Sequence, residues 1–170
     1  MCRMKSAQRG FTLLELMTGL TVAAVLVTIG VPSLRDFTLR QRIVTSGQDL
    51  QLDMTLARQE AVTRATPVTV CTSADGTTCS AAGWSAQRIV FADVNSNGVI
   101  DAGDEPIKYA APLNTGISAA SAVNAVTFDA TGAVGAAAQV TLCHTGFIGR
   151  VLSIRRTGHP VLSPTAAVCP

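Results

Sequence analysis

The sequence predicts an α+β fold. One long N-terminal helix crosses a membrane with its first half and packs its second half on an antiparallel β-sheet domain. Three observations carry this reading. Residues 11–31 form an apolar run of 21 residues in which Glu15 is the only charge. Between Ile43 and Ala61 apolar or small residues recur every three or four positions. Beyond Pro67 the pattern changes to short apolar or alternating runs separated by turn residues.

The first run suits a membrane by length. As a helix it extends about 31 Å, against a hydrocarbon thickness of about 30 Å. Pro32 follows and should kink the helix, because proline lacks a backbone donor and crowds the preceding turn. Ile43, Gly47, Leu50, Met54, Ala57 and Ala61 then mark one helical face. Asp49, Asp53, Glu60 and Arg64 are expected on the other faces, with Glu60 and Arg64 spaced as a favourable i,i+4 pair. Thr66-Pro67 ends the pattern, giving one helix over about 12–64. Strands are expected at 68–71, 88–92, 107–110, 125–129, 139–143, 150–154 and 159–162. Asp75-Gly76, Asn97-Gly98, Thr131-Gly132 and Thr157-Gly158 supply turns, and 111–124 reads as an Ala/Ser/Asn loop. The chain thus divides into a leader (1–10), a membrane half-helix (11–33), an amphipathic half-helix (34–66) and a β domain (67–170).

Charge and cysteines place the parts. The net charge of +2 arises at the N-terminus, where Arg3, Lys5 and Arg9 are unopposed; from Phe11 onward the chain carries −1. Cytoplasmic flanks hold the Lys/Arg excess, so residues 1–10 should stay inside and the β domain outside. Cys71, Cys79, Cys143 and Cys169 all lie in that exported part, where an even number of cysteines reads as two disulfides. Metal binding competes, but the Cys-x-x-Cys spacing it favours is absent. The expected pairs are Cys71–Cys79, closing a tight loop, and Cys143–Cys169, stapling the tail to a strand.

In an ordinary secretory signal the cleavage point follows the apolar run. Here the small residue, Gly10, precedes it. The short basic leader, Gly10, Phe11-Thr12-Leu13, Glu15, the apolar run and Pro32 together resemble the prepilin leader of type IV pilins and type II secretion pseudopilins. The resemblance implies cleavage between Gly10 and Phe11 by a prepilin peptidase, and N-methylation of Phe11. It also implies a reason for Glu15, since a carboxylate at membrane depth needs a partner. That partner would be the terminal amine of Phe11 in a neighbouring subunit. Farther on, "ARQEAVTR", "VTVCTSADGTTC", Trp84, "IVFADVNSNGVID" and "GRVLSIRRTG" resemble the GspH/FimT branch of the family.

Two further stretches bear on function. In "DVNSNGVIDAGD", Asp93, Asn95, Asn97, Gly98, Asp101 and Asp104 occupy positions 1, 3, 5, 6, 9 and 12 of a calcium loop. Position 12 is Asp rather than the longer Glu, and strands rather than helices flank the loop, which favours a polar hairpin. Calcium is therefore not expected, nor any other cofactor. The last forty residues hold Arg150, Arg155 and Arg156 and no acid. DNA-binding relatives resemble one another in a C-terminal Gly-Arg-x-Arg segment; here Gly158, His159, Pro160 and Val161 stand at it, so both arginines are replaced. Strand alternation sets Arg155 on the opposite face from Arg150 and Arg156. Any DNA contact through Arg150, Arg155, Arg156 and His159 should be weak. No motif pairs His144 or His159 with a nucleophile, and no phosphate loop appears, so the chain does not read as an enzyme.

The resemblance implies a minor type IV pilin of FimT/FimU type that is built into a pilus or primes its assembly, with DNA uptake as a further role. A GspH-like pseudopilin of type II secretion and a pilus-tip DNA-binding protein remain alternatives. Partners would be other pilin or pseudopilin subunits, the prepilin peptidase and the inner membrane, spanned once with the C-terminal domain in the periplasm.

Overall fold

A computed structural model describes residues 10–144, 149–167 and 169. The chain divides into two compact units, Met1–Thr38 and Leu39–Pro170. Helix α1, Leu13–Arg64, begins in the first and ends in the second, and it is helical through Pro32. Its end is a Schellman motif: the Thr66 N–H donates to the Ala61 carbonyl across Ala65, which adopts a left-handed conformation (φ 50°). Pro67 then forbids another turn.

Eight strands follow: β1 (Val68–Ser73), β2 (Gln87–Ala92), β3 (Glu105–Ala110), β4 (Ser118–Ala120), β5 (Ala125–Phe128), β6 (Ala138–Cys143), β7 (Gly149–Ile154) and β8 (Pro160–Ala167). They form two antiparallel four-stranded sheets, ordered β3-β2-β1-β5 and β4-β6-β7-β8. Strand β4 lies inside the stretch expected to be a loop. It is three residues long and of weak strand propensity, and it is defined by pairing with β6 (Ala119 opposite Leu142).

In the second unit, one core joins the helix to both sheets. Ile43, Leu50, Met54, Ala57 and Ala61 meet Val68, Val70, Val90, Val126 and Phe128 of one sheet and Val140, Leu142, Leu152 and Ile154 of the other. Gly47 brings β8 close, since a side chain there would collide with Leu162. Alternation in β2 sends Val90 to this core and Ile89 and Phe91 to a smaller cluster on the other face of the sheet. Cys79, Ile100 and Ala125 cover that cluster, so β1 and β2 are buried on both faces.

One helical position differs from expectation. Asp53 faces the core, not solvent, and is fully buried. It follows Leu50 by three residues and precedes Ala57 by four, inside the arc that packs on the sheets.

Candidate functional site

The N-terminal segment comes first in the chain. Phe11 is 83% exposed and stands just ahead of α1. Thr12 caps the helix: its Oγ1 accepts the Glu15 N–H at 3.2 Å, and its carbonyl accepts the Leu16 N–H at 3.1 Å. Thr-x-x-Glu is the sequence of a capping box, so Glu15 also sits at the position where a helix N-terminus favours an anion. Residues 12–15 carried this signal openly, but the membrane and cleavage readings do not use it. The Glu15 carboxylate makes no ion pair among the described residues. Along the apolar helix, the hydroxyls of Thr18, Thr21 and Thr28 each donate to the carbonyl three residues earlier. Their polar groups are thereby satisfied within the helix, as an apolar solvent requires. The helix is long and apolar enough to cross a membrane, with mean hydropathy 2.0 over its best window.

Both cystines are formed, Cys71–Cys79 and Cys143–Cys169. The first anchors a loop ordered by Asp75, whose carboxylate accepts the Thr77 and Thr78 N–H groups and the Thr78 hydroxyl. Those bonds, the backbone ones foremost, hold the Asp75 carboxyl far below the usual carboxylate range. Asp129 is lowered for the same kind of reason, chiefly by the Thr131 hydroxyl and then by the Ala133 and Thr131 N–H groups.

In the 93–104 loop the side chains are occupied by the loop itself. Buried Asp93 accepts the Asn97 and Gly98 N–H groups and the Thr69 hydroxyl. Asp104 accepts the Val94 and Asp101 N–H groups. Asp101 accepts the Asn95 and Asn97 side-chain amides. No group of three or more His, Cys, Asp or Glu among the described residues is arranged to hold a metal.

The C-terminal arginines lie differently from the strand-alternation reading. Strand β7 ends at Ile154, so Arg155 and Arg156 belong to the turn that leads into β8, closed by Gly158 N–H donating to the Arg155 carbonyl. Strand alternation does not govern a turn, and both side chains are exposed. His159 is exposed beside them, while Arg150 is half-buried roughly 15 Å back along β7. Helix α1 adds a residue absent from the sequence reading. Arg58 donates from Nε to the Gly132 carbonyl at 3.1 Å, and a side chain at Gly158 would meet it.

A second unforeseen group is a buried charge network. Arg88 Nε donates to Asp53 Oδ2 at 2.9 Å, with both side chains at most 3% exposed. Lys108 Nζ, 43% exposed, reaches Asp53 Oδ1 at 2.7 Å. The signal for Arg88 was available: it is in phase with core-facing Val90 on β2.

The family model described as "Type II transport protein GspH" matches residues 46–158, which is most of the second unit. This chain belongs to the GspH family. A model described as "Prokaryotic N-terminal methylation motif" matches residues 5–31. Solved structures agree with this GspH-family chain in fold. The type IV minor pilin FimU of Pseudomonas aeruginosa is 24% identical with a TM-score of 0.62, over 78% of this chain and 97% of that one. The minor pseudopilin EpsH of the Type 2 Secretion System of Vibrio cholerae is 11% identical with a TM-score of 0.50, over 74% and 97%. No curated protein sequence matches. The fold is therefore pilin-like: a long N-terminal helix on antiparallel sheets.

Proposed function

We propose that this GspH-family protein is a structural subunit, a minor pilin of FimT/FimU type. It would be anchored in the inner membrane by α1, carry its β domain in the periplasm, and join or prime a type IV pilus. The observation that carries the reading is the N-terminal segment: Gly10 and Phe11, the Thr12 cap, Glu15 with no ion pair among the described residues, and an exposed apolar helix. Prepilin peptidase would cut between Gly10 and Phe11 and methylate Phe11. Glu15 would then pair with the amine of a neighbouring subunit, which offsets the cost of both charges in an apolar bundle. Intact-mass measurement on membrane protein should show loss of residues 1–10; retention of Met1 or a cut beyond Val31 would end the reading. Glu15→Ala should leave cleavage intact and lower recovery in sheared filaments, and equal recovery would contradict the pairing.

The GspH match favours a second reading, a pseudopilin of type II secretion, with the same leader and the same role for Glu15. Deleting the gene separates the two by whether pili or secreted enzymes are lost. DNA capture is the weaker role. Arg58 reaches the Gly132 carbonyl beside Gly158, the glycine that Arg155, Arg156 and His159 flank in sequence, while Asp129 closes the same 129–132 turn and Arg150 is apart; so few phosphate contacts give salt-sensitive, non-specific binding. Loop 93–104 serves as a structural turn, and calcium should leave the melting temperature unchanged, because its carboxylates already accept N–H donors.

A further inference from the structure

We propose that the open edge of β6, beyond the end of β4, is a docking site for an extended, uncharged segment of a second, unlike protein. Strand β4 pairs with β6 only from Thr141 to Cys143. Strand β6 continues through Val140, Gln139 and Ala138 with β7 on one side alone. Among the described residues no strand and no loop backbone takes the groups that this stretch turns away from β7. Such an edge is a template for one more strand. The other sheet edges are guarded. Strand β3 carries Glu105, Pro106 and Lys108, and β8 carries Pro160 and Pro164. Strand β5 is four residues long, and Val134 bridges to its Phe128. The β4–β6 edge reads Ser118-Ala119-Ala120 and Ala138-Gln139-Val140. Neither a proline, a charge nor a covering residue blunts it.

The groove beside the edge states what fits. Past Ala120 the chain leaves β6. A groove of about 550 Å³ opens between Ala120, Ala122 and Val123 on one wall and Ala137, Ala138 and Gln139 on the other. Its first wall is held in place within the subunit. Buried Trp84 donates from Nε1 to the Val123 carbonyl at 2.6 Å, and the Thr72 N–H donates to the Asn124 carbonyl at 2.9 Å. An edge ordered in advance lowers the entropy cost of docking. Between Lys108 and Arg150 the sequence holds one charge, Asp129, and its carboxylate is taken by Thr131 and Ala133. A charged side chain laid in this groove would lose water and gain no counter-ion. The occupant is therefore a strand read through its backbone, with small uncharged residues facing the groove. The open edge is short, about 10 Å, so the contact is a local one.

The test uses the full chain in detergent micelles and a short fluorescent peptide, blocked at both ends, of alternating Thr and Val around a central Ala. Anisotropy titration should show saturable binding, and hydrogen exchange should slow at amides within 138–140. N-methylation of alternate peptide residues, made in both phases, removes the donors of one edge at a time. One phase should lower affinity at least about tenfold. Replacing the central Ala of the peptide by Lys should lower it as much. Ala122→Trp, at an exposed position, should fill the groove and abolish binding while both disulfides and the unfolding midpoint are kept. No saturable binding, equal binding of all the N-methylated peptides, slowed exchange elsewhere than 138–140, or binding indifferent to Ala122→Trp would overturn the proposal. Self-association of the chain without peptide, with exchange slowed at 138–140, would give the edge to a second copy and overturn it as well. Binding is read in micelles, so these outcomes leave the filament reading to the intact-mass and filament-recovery measurements.

Discussion

Asp53 shows why single residues resist sequence reading. A carboxylate on an amphipathic helix is ordinarily solvated, yet here two cations from β2 and β3 meet it inside the core. Arg88→Met leaves buried Asp53 with half-exposed Lys108 as its remaining ion-pair partner, so it should destabilise in denaturant unfolding by less than the about 3–5 kcal/mol of a fully unpaired buried charge. Adding Asp53→Leu should recover most of that loss, because an apolar pair avoids the desolvation penalty; additive losses would contradict it. Ala65 is a second case. A residue with a Cβ pays about 1 kcal/mol in the left-handed region, so Ala65→Gly should stabilise the protein by about 0.5–1 kcal/mol, read as a shift in denaturation midpoint. Asp75 and Asp129 give a pH dependence. Their folded values lie below the unfolded one, which is about 3.9. Their contribution is complete above about pH 5 and is lost as pH falls through the folded values. Asp75→Asn/Asp129→Asn should therefore shrink the acid-side loss of stability, and an unchanged acid limb would refute the assignment.

At the scale of elements, α1 has two faces in the second unit. One buries Ile43, Leu50, Met54, Ala57 and Ala61. The opposite arc, running through Gln41, Thr45, Gln48, Leu52, Gln59 and Thr63, is exposed and carries no charge over those turns. Leu52, 62% exposed, sits in that arc for no reason the subunit's own packing supplies. If neighbouring subunits cover the arc, Gln48→Lys should leave unfolding within about 0.5 kcal/mol of the parent, as surface changes usually do, while lowering recovery in sheared filaments. Unchanged recovery would free this face from assembly. The cystines are the other element-scale constraint, and reduction of each should cost about 2–4 kcal/mol.

For the whole molecule, the distribution of charge predicts weak interaction with DNA. From Phe11 onward the chain is close to neutral, and its exposed basic corner is small. Binding of duplex DNA should be poor at physiological salt and should weaken further as salt rises. Arg155→Ala/Arg156→Ala should abolish what remains. Tight retardation at physiological salt in a gel-shift titration would move DNA capture ahead of the assembly role.

The sequence by itself determined what depends on local pattern. Apolar length gave the membrane-grade helix, three-to-four spacing gave the face of α1 that reaches the core, and apolar runs between turn residues located seven of the eight strands among the described residues. The Gly10–Glu15 order marked the segment that would drive assembly, and its Thr-x-x-Glu cap was equally legible. What only the tertiary structure decided depends on partners distant in the chain. Strand β4 exists because β6 lies beside it. Asp53 is buried because Arg88, 35 residues later, arrives to meet it, and Arg58 reaches across 74 residues to the Gly132 carbonyl in the turn after β5. Periodicity assigns a residue to a face. Which charges share that face is fixed only when separate elements pack together, because the desolvation cost of each charge depends on what lies opposite it.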